Sequence, residues 1–320
     1  MVSSYASPPI LRRLRLALLA GVACLAAAPA LALDGQPANG PDKLLVAPYA
    51  DARQALDAGL TDLAAGDTKG SLKALNYAAD GGEPLAMWKL GRMYSRGEDG
   101  VQRDDLQAYR YFDALVRGFD EDKIDARSLG AVVNGFIALA QYQLTGIPGS
   151  DVRADPEHAL TLLQFAATNF KSTEAQFGLG NLYLNGAGAI AKDPVRAARW
   201  LALAASKGHK GAQATFGHLL FAGLGVPVQR ARGLRWEMQA KAGAQPAKDD
   251  WIREGFARDW AQAGEDDREM ALAYLGDAKP DDPTALAAKP GVPMSLLPPA
   301  AMAAAPPLRA GAAALATEAK

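Results

Sequence analysis

The chain has 320 residues, 49% of them hydrophobic, and a formal net charge of −1. That is enough apolar material for one or two domains with a proper core. The charge balance argues against nucleic acid as a partner, because such binding draws on concentrated positive charge. Cys24 is the only cysteine, so no disulfide framework is possible within the chain.

The first element is an export signal. Arg12, Arg13 and Arg15 precede an apolar run over 16–28, and Ala28-Pro29-Ala30 and Ala30-Leu31-Ala32 offer small-residue cleavage sites. This order predicts a secretory signal peptide over 1–32, cut after Ala32, with an apolar run too short to span a bilayer comfortably. The Arg12-Arg13 pair also admits the twin-arginine route, in poor surroundings. Cys24 lies inside this segment and is expected to leave with it. Export would leave 31 basic side chains against 35 acidic ones, a net of −4. No later apolar run is long enough to cross a membrane, so a soluble periplasmic product is expected.

Residues 33–48 read as a linker, and 49–278 as the folded body. Over 50–80 the pattern is a helix pair: Ala55, Leu56, Gly59 and Leu60, a break at Gly66-Asp67, then Leu72, Leu75 and Tyr77 to Ala79. Four repeats follow, each aligned on a small residue: Gly91, Ala140, Gly180 and Gly217. Five residues earlier stand Ala86, Gly135, Ala175 and Ala212; six later stand Gly97, Gly146, Gly186 and Gly223. Thirteen residues on are Asp104 and Asp193, with Asp155 in that place after a two-residue insertion; Ala108, Ala159 and Ala197 lie four beyond. In the fourth repeat Arg230 and Leu234 take these places.

Mechanically, the small residues let two helices approach closely, and the glycine six residues later can take positive φ and end the first helix. The Asp caps the second helix, with Pro156 and Pro194 at the first helical position. Each unit is a helix-turn-helix that cannot bury its apolar face alone. The repetition also disposes of a possible cofactor motif. Gly186-Ala187-Gly188-Ala189-Ile190-Ala191 nearly spells a dinucleotide fingerprint, but it recurs as the loop between two helices. The predicted fold is therefore all-α, a right-handed α/α solenoid of tetratricopeptide-like helix pairs.

Residues 120–125 are a charged run whose spacing lacks the glycine and terminal glutamate of a calcium loop, which predicts a solvated linker. Trp251 to Trp260 and Glu269 to Leu275 predict one or two capping helices. Residues 279–320 are mostly Ala and Pro and are expected to be a disordered tail.

Chemistry is sparse. The chain carries no GxSxG elbow, no HExxH and no phosphate-binding loop. His158, His209 and His218 are the only histidines, and no two share metal-ligand spacing on one helix face. His158 is expected to be solvated and His209 to have a structural role at a turn. No catalytic residue, cofactor or metal site is expected. Solenoids bind partners along the first helices of their pairs. The residue after each anchor is polar, Arg92, Gln141, Asn181 and His218, and their common register predicts a ladder along one surface. That ladder is either a partner-contact stripe or a position the repeat leaves to solvent. Trp236, Trp251 and Trp260 are expected to pack the core and cap.

These positions resemble the Sel-like repeat family. Ala86, Leu90-Gly91, Met93-Tyr94, Gly97, Gly100-Val101, Asp104 and Ala108 follow its pattern, as do Ala175, Leu179-Gly180, Leu182-Tyr183, Gly186, Asp193, Ala197, Trp200, Ala204-Ala205 and Gly208. Further features extend the likeness over roughly residues 10–276. They are Ala78-Ala79-Asp80-Gly81-Gly82, Leu144-Thr145-Gly146-Ile147-Pro148-Gly149-Ser150, Phe165-Ala166-Ala167, Glu174-Ala175-Gln176-Phe177 and Glu265-Asp266-Asp267-Arg268. In that order they resemble the periplasmic negative regulators of exopolysaccharide production. The resemblance implies a non-enzymatic protein that binds the periplasmic part of a membrane sensor histidine kinase and holds its pathway off. The rival expectation is a periplasmic scaffold for envelope or polysaccharide machinery.

Overall fold

The computed structural model describes residues 48–276. The expected signal peptide, most of the linker and the Ala/Pro tail lie outside the described residues. Among the described residues twelve helices follow one another: α1 (Ala52–Ala64), α2 (Thr68–Asp80), α3 (Pro84–Arg96), α4 (Asp105–Arg117), α5 (Ala126–Thr145) and α6 (Pro156–Thr168), then α7 (Thr173–Asn185), α8 (Pro194–Ser206), α9 (Lys210–Ala222), α10 (Arg230–Ala242), α11 (Asp250–Gln262) and α12 (Glu265–Gly276). Through α10 each odd-numbered helix packs on the even one after it, and each pair packs on the next. The solenoid of helix pairs is as the sequence predicts.

The anchors act by bringing backbones together. A β-carbon at Gly91 would lie 2.5 Å from the Phe112 ring, and one at Gly180 would lie 2.5 Å from Leu201 Cγ. Helices α3 and α4, and α7 and α8, therefore meet at a distance only glycine permits. Ala86, Ala175 and Ala212 are fully buried one turn and more earlier, on the same first helices. Gly97, Gly146, Gly186 and Gly223 all end their helices at positive φ, from 66° to 73°. Asp104, Asp155 and Asp193 each accept the N–H of the residue three positions on, at 2.9 Å. Their own N–H groups reach back to carbonyls of the preceding helix: Asp104 to Tyr94, Asp155 to Gln143, Asp193 to Tyr183. In the Gly186 loop, Ala187 and Ile190 exchange both backbone bonds, at 3.0 and 2.8 Å, so the loop closes on itself.

Three local readings are corrected. The loop of the fourth repeat is one residue shorter than those of the first and third, so Arg230 and Leu234 do not hold the cap and small-residue places. Gln229, not Arg230, is the N-cap, and its N–H reaches Leu220 O at 2.8 Å, the bond that the aspartates make elsewhere. Counting from the cap, Gly233 then stands where Ala108, Ala159 and Ala197 stand, and Glu237 where Phe112 and Leu201 stand. The 120–125 run is more than a solvated linker. Asp125 caps α5, bonding Ser128 N–H, and pairs with Arg53 at 2.5 Å, while Arg127 pairs with Asp57 at 2.7 Å. Together they tie α5 to α1. Finally, Trp251 does not pack as expected: it is 48% exposed, whereas Trp236 is buried against Phe216 and Trp260 lies against Phe256.

One continuous apolar core runs from Ala108 on α4 to Trp236 on α10. Phe119, Phe136, Phe165 and Phe170 form a four-ring cluster within it, with centroids 5.0 to 5.9 Å apart. The C-terminal closure differs from the repeats. Helix α11 packs on both α9 and α10, and α12 packs on α10.

Candidate functional site

The four ladder residues fall on the first helices α3, α5, α7 and α9, which neighbour one another along the stack. None is buried: Gln141 is exposed, and Arg92, Asn181 and His218 are half-exposed. Two are engaged within the fold. Arg92 Nε lies 3.2 Å from Glu98 Oε2, and its guanidinium lies over the Trp88 ring, 5.1 Å from the centroid. That contact presents a cation on an aromatic base, a flat and partly desolvated feature. His218 is engaged with the C-terminal closure, its Nδ1 2.5 Å from Asp259 Oδ2 on α11.

Polar pairs between helices hold this face in place. Tyr142 on α5 donates to Asp105 on α4 at 2.9 Å, Gln143 Nε2 donates to Tyr109 at 3.2 Å, and Gln164 Nε2 donates to Tyr183 at 3.3 Å. Burial first, and the Asp105 bond second, push the Tyr142 hydroxyl well above its ordinary range. Tyr142 is thus a fixed neutral donor at any physiological pH.

His158 is exposed, as expected. His209 is structural, and its mechanism is visible: it is the N-cap of α9, with Nδ1 accepting Ala212 N–H at 3.0 Å.

A second feature escaped the sequence reading. His218, Glu237 and Asp259, from α9, α10 and α11, bring one donor atom each to within 4.8 Å of one another. Glu237 and Asp259 are 2% and 1% exposed, whereas the His218 side chain is 41% exposed. Burial first, and a hydrogen bond shared with Asp259 second, push the Glu237 carboxyl up to about 9. Its Oε2 is buried without a hydrogen-bond partner. Arg258 Nε stands 3.5 Å from the far oxygen of Asp259. Spacing along the chain could not reveal this group, because its members lie 19 and 22 residues apart on three helices. The available signal was Glu237 itself, a carboxylate at a core position, hidden by the one-residue offset of its loop.

The chain is similar to known proteins. The chain matches the Sel1 repeat family over residues 84–114, 137–169, 173–209 and 212–236. A Sel1 repeat protein from Oxalobacter formigenes is similar in structure, with 24% identity, 63% of this chain and 55% of that chain covered, and a TM-score of 0.46. A putative Sel1 repeat protein from Klebsiella pneumoniae covers 65% of this chain and 92% of its own, at 23% identity and a TM-score of 0.40.

Two relatives are more informative. The exopolysaccharide production negative regulator of Rhizobium meliloti (strain 1021) is 34% identical over 203 residues, 63% of this chain and 72% of the relative. Its namesake from Rhizobium leguminosarum bv. viciae is 34% identical over 209 residues, 65% of this chain and 75% of the relative. The chain belongs to the family of exopolysaccharide production negative regulators, built on Sel1 repeats.

Proposed function

We propose that this protein is a periplasmic negative regulator of exopolysaccharide production that binds the sensor domain of a membrane histidine kinase and holds its signalling off. The observation that carries the reading is the 34% identity to two relatives of that name across nearly three quarters of their length. The stack of first helices with an unburied polar position on each supports a protein partner. Location in the periplasm rests on the signal-like segment at 1–32.

The test is a titration of the chain lacking residues 1–32 against the purified periplasmic domain of the sensor kinase from the same organism. Saturable binding in the micromolar range or tighter, weakened by Arg92→Ala, Gln141→Ala, Asn181→Ala and His218→Ala, is expected. Binding indifferent to all four keeps the function and discards the ladder as its surface. Absence of binding, together with unchanged polysaccharide output in a deletion strain, overturns the regulator and leaves the envelope scaffold.

A further inference from the structure

We propose that His218, Glu237 and Asp259 form a binding site for a divalent transition-metal ion of the zinc class, placed where α9, α10 and α11 meet.

Counted from the helix cap, Glu237 occupies the place that Phe112 and Leu201 fill in other repeats, against the anchor glycine. A β-carbon at Gly217 would lie 2.7 Å from Glu237 Cγ, just as those at Gly91 and Gly180 would strike Phe112 and Leu201. An apolar side chain would satisfy that position as it does elsewhere. Instead a carboxyl is buried there, and a second carboxyl, Asp259, is buried beside it. Two adjacent buried acids are unfavourable without a compensating cation or proton. Arg258, whose side chain is 61% exposed, stands 3.5 Å from the far oxygen of Asp259. Glu237 Oε2 meets no donor at all. The Glu237 carboxyl has one buried oxygen without a hydrogen-bond partner and brings an oxygen within 4.8 Å of an imidazole nitrogen and of an Asp259 oxygen, the surroundings of a metal ligand whose binding releases the proton the two acids share.

The donor set selects the class of ion. One imidazole nitrogen with two carboxylate oxygens suits zinc and its neighbours in the first transition row. Magnesium and calcium favour more oxygens and rarely accept nitrogen. The three side chains leave from three helices packed on one another, so the ligand frame is rigid. Three protein donors leave a fourth position, which the half-exposed face of His218 opens to solvent. At zinc–ligand distances of about 2.0–2.1 Å, neighbouring donors stand about 3.3 Å apart. The His218–Asp259 pair, now 2.5 Å apart, would need to open by less than 1 Å. Such an ion would pin α11 to α9 and α10.

The experiment uses the chain without residues 1–32, stripped with chelator, and titrates it with zinc chloride by calorimetry, with thermal unfolding followed in parallel. The expected result is saturation near one equivalent and a rise in unfolding temperature with zinc. Glu237→Gln, which keeps size and removes charge, and His218→Ala, at a half-exposed position, should each weaken binding about tenfold or more. Circular dichroism checks that both variants are folded; Glu237→Leu, which restores the apolar residue of the other repeats, serves if Glu237→Gln is not. Magnesium chloride should give no comparable saturation. No zinc binding by the wild-type chain, one-equivalent binding unchanged in the folded variants, or equal affinity for magnesium would each overturn the proposal.

Discussion

His209 shows how much a single side chain can settle. Its Nδ1 accepts a backbone N–H, so that nitrogen carries no proton, and the proton sits on Nε2, 2.9 Å from Glu174 Oε2. The ring lies on Phe177 with centroids 4.5 Å apart. One imidazole thereby caps α9, pairs with α7 and packs. His209→Ala should cost about 1 kcal/mol through the lost cap, read by urea unfolding, and His209→Asn should recover part of it. The His209 bond holds the Glu174 carboxyl below its ordinary range. The folded state therefore binds that proton more weakly than the unfolded chain, and the stabilisation is complete above the ordinary carboxylate pKa. It disappears as pH falls through the lowered value. The stability gap between wild type and Glu174→Gln should accordingly be widest near neutrality and close in that acid range; a gap that widens on acidification contradicts the assignment. A structural role for His209 was legible in the sequence from its place after Gly208. Its partner was not, because Glu174 lies 35 residues away on another helix.

Between elements, the repeat pattern translated almost directly into geometry, because its small residues are there for backbone contact. Gly180→Leu should destabilise by about 1–3 kcal/mol through overpacking against Leu201. Gly217→Ala should do comparable harm with a single methyl. That β-carbon would meet the Gly233 carbonyl oxygen at 2.7 Å, and a backbone atom cannot rotate aside. Phe136→Ala, at the buried ring of the four-phenylalanine cluster, should cost about 3–5 kcal/mol. Thermal or urea unfolding checks all three. What the pattern hid was equally specific. A loop one residue shorter before α10 shifted the fourth repeat out of alignment, so Arg230 and Leu234 fell on the repeat positions and the core place of Glu237 went unmarked. Helix periodicity also gave no sign that Asp125 and Arg127 would reach α1, since those pairs span 72 and 70 residues.

For the molecule as a whole, a linear stack means that each pair is held mainly by its neighbours. The largest core cluster spans α4 to α10, whereas α1 to α3 and the C-terminal helices rely on smaller clusters of their own. Amide hydrogen exchange should therefore be slowest in α5–α8 and fastest in α1, α2 and α12, and uniform protection would contradict nearest-neighbour stability. The closure at α9–α12 has a consequence for how such a chain can lengthen. A duplicated unit spliced in before α9 would leave α9, α10 and α11 together, with Gly217 still against Glu237 and Glu237 still beside Asp259. One spliced in after α10 would part Glu237 from Asp259 and strand two buried carboxyls against foreign helices. Growth by duplication is thus open in the middle of the gene and barred at that end, so longer versions of this protein should differ by whole units inserted ahead of residue 209.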